Sequence, residues 1–385
     1  IWNAVCEGWC VVLAPNLPAP GVKMLPTPLI IPISNGFRIQ YDLLGLTYWM
    51  LTRQEEVGRT DLDEHERFPA IASHAFKYGY LDRPIVDEWL CILGQVIALT
   101  WPGLPLKRHY FNIKVSHDVD TPSLYAFQSW QTVIRMMLGH LLKRRNIRAF
   151  IDALRVKLGA RQRLHHADPY NTFDMIMDIS ERHGLRSAFY FICGKTDCHD
   201  ADYEPEDSRI VDLMRRIHER GHEIGLHPGY GSFRNSDLIV SAANRLRRIF
   251  KKEDFHQLEF GGRMHYLRWE QPVTLRGLAQ AGMTYDSTLG YADLPGFRCG
   301  TCFEYPAFDS VANQSLSLRI RPLIAMECTV TARRYMNLGT GVAAMQKLLQ
   351  LKTACQSVNG CFTLLWHNSN LADPSERLLY ERILG

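Results

Sequence analysis

From Phe111 onward the chain repeats one pattern, a short apolar segment followed by an amphipathic helical stretch and then another short apolar segment. Segments too short for a buried helix read as strands, and strands separated by helices pair in parallel, so this pattern predicts a parallel α/β architecture. The expected strands are FNIKVS (111–116), SAFYFI (187–192), EIGLH (223–227), LEFGGR (258–263), MTYDS (283–287), RIRPLIAME (319–327) and CFTLLWH (361–367). Seven strands is a barrel-sized set. Between them, the helical stretches TFDMIMDISERHG and RIVDLMRRIHERG each end in glycine, which suits a left-handed helix terminus.

A chain of 385 residues exceeds one small core and points to two domains. Residues 1–107 open with the proline-rich LAPNLPAPGVKMLPTPLIIP and continue into DLLGLTYWMLTRQEE and PIVDEWLCILGQVIALTW, so they read as a smaller, mainly helical N-terminal domain. Residues 108–385 carry the strand and helix alternation, interrupted by an insertion at about 123–168. That insertion contains RMMLGHLLKRRNIRAFIDALRVKLGARQRLHH, with nine Lys or Arg and Asp152 as its one acid. It is either a solvated helix face or a lid or rim facing something anionic: a sugar phosphate, a nucleotide or an acidic membrane surface.

Composition removes several classes. With 46% hydrophobic and 22% charged residues and no apolar run near 18, a transmembrane segment is not expected. A net charge of +4 is too mild to call for nucleic acid. The ten cysteines, Cys6 among them, are scattered through a long chain, and no signal peptide is visible, so reduced thiols and a cytoplasmic location are expected. Cys299 and Cys302 form a CxxC with no second pair at zinc-ribbon spacing, either a plain loop or a metal or redox pair.

The ionisable residues sort to one end of the expected strands. Asp118 and Asp120 follow the first, His227 ends the third, Arg263 and His265 end the fourth, Asp286 lies near the end of the fifth, and His367 ends the seventh. These are carboxyl ends, where parallel α/β barrels build active sites. Two carboxylates with imidazoles match the donor set of a divalent metal such as zinc, which suits hydrolysis of an amide or ester. Such a reaction needs a base for the water, Asp118 or Asp120, and an acid for the leaving group, His367.

The segments SHDVDTP, GHEIGLHPGY, GGRMHYLRW, MTYDSTLGY and LLWHNS resemble, in order and spacing, the five motifs of the polysaccharide deacetylase superfamily, also called NodB-homology or carbohydrate esterase 4. The resemblance spans about 110–370 and is nearest to bacterial members of O-antigen and surface-polysaccharide loci, with a helical domain ahead of the barrel. It implies a distorted (β/α)7 barrel and metal-dependent removal of an N-acyl group, acetyl or formyl, from a sugar.

Carried over by position, Asp118 resembles the catalytic base and Asp120 a metal ligand, with Val119 between two acids that are adjacent in the family. His227 resembles the first metal histidine, and His222 a histidine upstream of it. Gly231 stands where the family has its second metal histidine, and His265 in the third motif is the expected replacement, with a substrate contact and a structural role as its alternatives. Arg263 resembles the arginine that orients the catalytic acid, Asp286 the acid that tunes the last histidine, and His367 that histidine. Tyr266, Tyr291, Arg298 and Trp366 are the expected substrate contacts, since aromatic faces and guanidinium forks suit sugars and acidic groups. The substrate implied is a nucleotide- or lipid-linked sugar, with a peripheral membrane contact open to the protein. The departure at Gly231 keeps a second reading in play, a catalytically degenerate barrel that binds a glycan or a partner protein. A third reading keeps the metal but acts on a non-sugar amide or transfers an acyl group.

Overall fold

The computed structural model describes residues 2–5, 8–14 and 16–385; Cys6 lies outside them. The chain forms two compact units, one of residues 1–114 and 287–364, the other of residues 115–286 and 365–385. The protein is mixed α/β with a parallel sheet, as the strand and helix alternation predicts.

In the first unit, the proline-rich lead-in makes strands where a mainly helical domain is expected. Trp2–Val5 pairs with Asn16–Ala19, and Ile30–Ile33 with Gly36–Ile39, both antiparallel. The second pair turns on Ser34 and Asn35, and the β-branched run Ile30–Ile33 suits a pleated edge on which proline is tolerated. The expected helices follow at Leu43–Leu51 and Ile85–Thr100. Their apolar faces meet in a core built around Trp89, Tyr41, Ile85 and Met50. None of the nine described cysteines is in a disulfide, and Cys299 and Cys302 are buried in this unit, with the Cys302 backbone N–H donating to Asp87.

The second unit contains the expected functional residues apart from Tyr291 and Arg298. Its strands are β1 (Asn112–Val119, entering the unit at Val115), β2 (Ser187–Ile192), β3 (Glu223–His227), β4 (Gly261–Gly262) and β5 (Tyr285–Asp286). Each pairs in parallel with the next in sequence, with Val115 opposite Ser187, Ala188 opposite Glu223, Leu226 opposite Gly262 and Gly262 opposite Asp286. Between the strands run α1 (Trp130–Leu142), α2 (Ile147–Gly159), α3 (Phe173–Arg182), α4 (Ser208–Glu219), α5 (Ser236–Glu253) and α6 (Val273–Gln280), and α7 (Pro374–Leu384) closes the chain.

Every residue of β2 and β3 is buried, as for parallel strands covered on both faces. Helices α3 and α4 are followed by Gly184 and Gly221 at φ +66° and +75°, the left-handed conformation that lacks a Cβ penalty.

Inside the sheet, two tyrosines lie over two glycines. A Cβ on Gly225 would stand 2.4 Å from the Tyr190 ring, and one on Gly261 would stand 1.9 Å from the Tyr285 ring. The Tyr190 and Tyr285 hydroxyls hydrogen-bond at 2.9 Å, and Tyr285 donates on to the buried Glu223 carboxylate. Only glycine leaves room for these rings, whose polar ends then satisfy one another in the buried interior.

Candidate metal centre

Along β1 the side chains alternate between the two faces of the sheet. Ser116 and Asp118 point to the same partner, Arg263, whose Nη1 donates to Asp118 Oδ1 at 2.7 Å and whose Nη2 donates to Ser116 Oγ at 2.8 Å. Arg263 is fully buried, with its guanidinium carbon 5.0 Å from the Tyr190 ring centroid. The fork therefore fixes one Asp118 oxygen and leaves Oδ2 directed toward His227, 3.7 Å away.

The intervening residue, His117, faces the other way. Its Nδ1 donates to the Trp366 carbonyl at 2.7 Å, and its ring stacks on Phe189 at 5.0 Å. Nε2 then accepts from the Ser187 hydroxyl at 3.2 Å, so the imidazole is neutral and fully engaged in the core. Burial pushes its pKa down to about 3, against only partial opposition from the Trp366 carbonyl.

Asp120 is the centre of an imidazole cluster. Its Oδ1 lies 3.3 Å from His227 Nε2 and 3.7 Å from His265 Nε2, and its Oδ2 lies 3.6 Å from His367 Nε2. The ligand atoms of Asp120, His227 and His265 all fall within 4.8 Å of one another. Each histidine is held from behind: His227 Nδ1 donates to the Arg263 carbonyl at 2.5 Å, and His265 Nδ1 donates to Asp200 Oδ1 at 2.8 Å. With Nδ1 protonated, each Nε2 presents its lone pair toward Asp120, the tautomer and support that metal-binding histidines require. In the absence of a cation, burial opposes the Asp120 charge, but His265, His227 and His367 in their protonated forms outweigh it and hold the carboxyl below the usual carboxylate range.

Asp200 has no place among the residues expected from the sequence. It is buried, and besides His265 it accepts the backbone N–H groups of Thr196 at 2.7 Å, Asp197 at 3.0 Å and Tyr230 at 2.7 Å. Desolvation works against its charge, yet the bonds from His265 and these amides keep its pKa low.

Gly231 is held close to the Thr196 side chain. Its N–H donates to Thr196 Oγ1 at 2.8 Å, and a Cβ would lie 3.3 Å from that oxygen. His265 reaches the centre from the next strand end, its own N–H bonded to the Pro228 carbonyl at 3.2 Å.

Two buried atoms test whether a cation fits. Asp120 Oδ1 and His227 Nε2 have no hydrogen-bond partner, an arrangement that costs free energy unless something positive lies between them. A carboxylate and two neutral imidazoles are the donor set of a divalent first-row ion. The residues present fit such an ion. The contiguous group Asp197, Cys198 and His199 is different in kind, because Asp197 there caps the His199 N–H in a local turn whose cysteine and histidine are exposed.

Beside the centre, Tyr266 stands edge-on to His265 at 4.9 Å and to Tyr230 at 5.2 Å, and His199 stacks on Tyr230 at 4.6 Å. Tyr266 and Leu267 both hold left-handed backbone conformations, φ +60° and +58°, which cost strain in residues with a Cβ. Arg268 supports this shelf from below, its guanidinium 4.0 Å from the Tyr230 ring centroid.

Three of the expected substrate contacts, Trp366, Arg298 and Tyr291, are buried. Trp366 is fully buried, with its ring edge-on to Tyr380 of α7 at 5.2 Å, on the His117 side of the sheet. In the first unit, Arg298 is buried and forked onto Glu56 at 2.6 and 2.9 Å, and its guanidinium covers the Tyr291 ring at 5.2 Å. A guanidinium occupied by a buried carboxylate has no fork left for a ligand, and Tyr291 belongs to the core. Asp286 is fully buried at the end of β5. Both ring nitrogens of His222 are engaged elsewhere, Nδ1 accepting from the Ser187 N–H at 3.1 Å and Nε2 facing Glu181 Oε1 at 3.3 Å.

A family profile described as a family of unknown function (DUF7033) matches residues 14–102. No curated protein matches the chain. Among solved structures, the chain is similar to one described as a candidate polysaccharide deacetylase from Mycobacterium smegmatis, at TM-score 0.45 and 16% identity over 73% of this chain and 86% of that one. It is also similar to the Puue allantoinase, at TM-score 0.42 and 12% identity over 74% and 85%. A probable polysaccharide deacetylase from Pseudomonas aeruginosa PAO1 gives TM-score 0.41 and 12% identity over 74% and 85%.

Proposed function

We propose that this protein is a metal-dependent hydrolase that removes a short N-acyl group, acetyl or formyl, from a sugar in bacterial surface-polysaccharide (O-antigen) biosynthesis. In this reading the second unit's sheet belongs to a distorted (β/α)7 barrel of the polysaccharide deacetylase type. The observation that carries the proposal is the convergence of Asp120, His227 and His265, with partnerless buried atoms on Asp120 and His227.

Asp120, His227 and His265 hold the cation, zinc in this reading. When bound, it supplies Lewis acidity, making water nucleophilic near neutral pH and stabilising negative charge on the acyl oxygen. Asp118, fixed through Oδ1 by Arg263, has Oδ2 available to take a proton from the attacking water. His367, whose Nε2 lies 3.6 Å from Asp120 Oδ2, donates a proton to the departing amine. Tyr266 and Tyr230, half-buried next to His265, form the wall against which a sugar ring lies. The substrate in this proposal is a nucleotide- or lipid-linked sugar met in the cytoplasm.

The test uses the full chain reconstituted with zinc and a panel of nucleotide-linked N-acetyl and N-formyl sugars, with acetate and formate release as the readout. Asp118→Asn is expected to retain the metal and lose about 100-fold or more in turnover. A metal-loaded, folded protein that releases neither acid from any member would overturn the proposal. A folded protein that takes up no divalent metal would favour the non-catalytic glycan or partner binder.

A further inference from the structure

Helices α1 and α2 form a hairpin joined by Lys143–Asn146, and each buries one narrow face against the other and the loops beneath. Val133 and Met137 of α1 and Ala153 and Val156 of α2 make that shared core. Each helix also carries a second apolar stripe, and these stripes face solvent. On α1 the stripe is Trp130, Ile134, Leu138 and Leu141; on α2 it is Ile147, Ile151, Leu154 and Leu158. The spacings, four, four and three residues on α1 and four, three and four on α2, hold each set to one side of its helix. All eight side chains are between 38% and 62% exposed, where a solvated helix face would carry charge. The charged positions of the same hairpin are cationic apart from Asp152. Lys143, Arg144 and Arg145 are exposed in the turn, Arg148 and Arg155 are exposed on α2, and the lone acid of the tract, Asp152, is paired with those two arginines.

We infer that this hairpin is a membrane-docking element that lies flat on an anionic phospholipid surface, with its aliphatic stripes in the headgroup and acyl boundary. Charge and chemistry select this occupant. Seven basic residues against one acid repel a second copy of the same hairpin, and a nucleic acid offers nothing to bury eight isoleucine, leucine and tryptophan side chains. Aliphatic stripes flanked by Lys and Arg, with a tryptophan at the end of one of them, are what an interfacial helix presents to an acidic bilayer. The inference stands on the hairpin alone and is independent of the chemistry at Asp120.

The test is sedimentation of the full chain with vesicles of neutral phosphatidylcholine and with vesicles containing roughly one third phosphatidylglycerol. The chain is expected to bind the anionic vesicles, to bind the neutral ones at least about tenfold more weakly, and to be released by salt. Leu138→Glu and Leu154→Glu, and separately Arg144→Glu with Arg145→Glu, are each expected to weaken binding about tenfold or more while thermal unfolding stays unchanged. Absence of binding to either vesicle, or binding that the leucine variants leave intact, would overturn the inference. Self-association in sedimentation velocity that Leu138→Glu abolishes would also overturn it, by assigning the stripes to a second copy.

Discussion

His227 Nε2 and Asp120 Oδ1 face each other at 3.3 Å, and neither buried atom has a hydrogen-bond partner. His227 cannot turn away, because its Nδ1 is committed to the Arg263 carbonyl. One divalent ion per chain is therefore expected on reconstitution. Replacing Asp200, which holds the back of His265, tests the centre without touching a ligand. Asp200→Asn is expected to lower metal affinity by about 10- to 100-fold, measured by competition with a chromophoric chelator. Unchanged affinity would separate His265 from the metal.

Acid is expected to displace the metal. Burial disfavours charge on His227, but Asp118 and Asp120 raise its pKa above the ordinary histidine value. A proton on Nε2 and a cation exclude each other there. Affinity is then full above that raised pKa and falls as pH drops through it, while Asp120, whose pKa is lowered, stays ionised. A dissociation constant that is flat through the weakly acidic range would contradict this arrangement.

His117 makes the fold itself acid-sensitive. The folded ring protonates only near pH 3, whereas the unfolded chain takes up that proton near the ordinary value of 6.5. Its stabilising contribution is complete above about pH 6.5 and is lost as pH falls toward 3, at about 1.4 kcal/mol per pH unit. His117→Gln, which hydrogen-bonds but does not titrate, is expected to flatten the decline in urea stability between neutral and mildly acidic pH. An unaltered slope would place the acid sensitivity elsewhere.

Arg263→Lys keeps a positive charge and removes the fork that spans Asp118 and Ser116. If Asp118 is the base, turnover is expected to fall at least about tenfold with metal content unchanged. Equal turnover in the variant would remove Arg263 from the positioning of Asp118.

Gly225→Ala drives a methyl group into the Tyr190 ring and the Gly261 carbonyl. Backbone on one side and a hydrogen-bonded ring on the other leave no direction for relaxation. A loss of about 1–3 kcal/mol in unfolding free energy is expected from chemical denaturation. A neutral result would mean that the Tyr190 and Tyr285 pair is looser than its geometry.

Legibility in the sequence followed local chemistry. SAFYFI and EIGLH form strands over the same residues that the pattern marks, because continuous apolar runs bounded by turns leave few alternatives. LEFGGR and MTYDS shrink to Gly261–Gly262 and Tyr285–Asp286, and in the first the glycine that leaves room for the Tyr285 ring carries little strand preference of its own. Asp118, Asp120, His227, Arg263 and His265 were visible because strand ends bring them together. Asp200 was not visible: it sits in an aperiodic acidic stretch, and its meaning comes only from His265, 65 positions later in the chain. The burial of Trp366 and Arg298 was not visible for the complementary reason, since an aromatic or a guanidinium looks the same in sequence whether it faces a ligand or a buried partner.

The alternation along β1 also sets how this site tolerates change. Ser116 and Asp118 share one side, while His117 anchors the opposite side to Trp366, Ser187 and Phe189. Removing a single residue upstream within the strand would exchange these sides in one step, sending a carboxylate into the packed interior and an imidazole to the mouth. Engineered length changes are therefore expected to be tolerated only in the loops that enter and leave this strand, and the order Ser-His-Asp-Val-Asp behaves as one indivisible word.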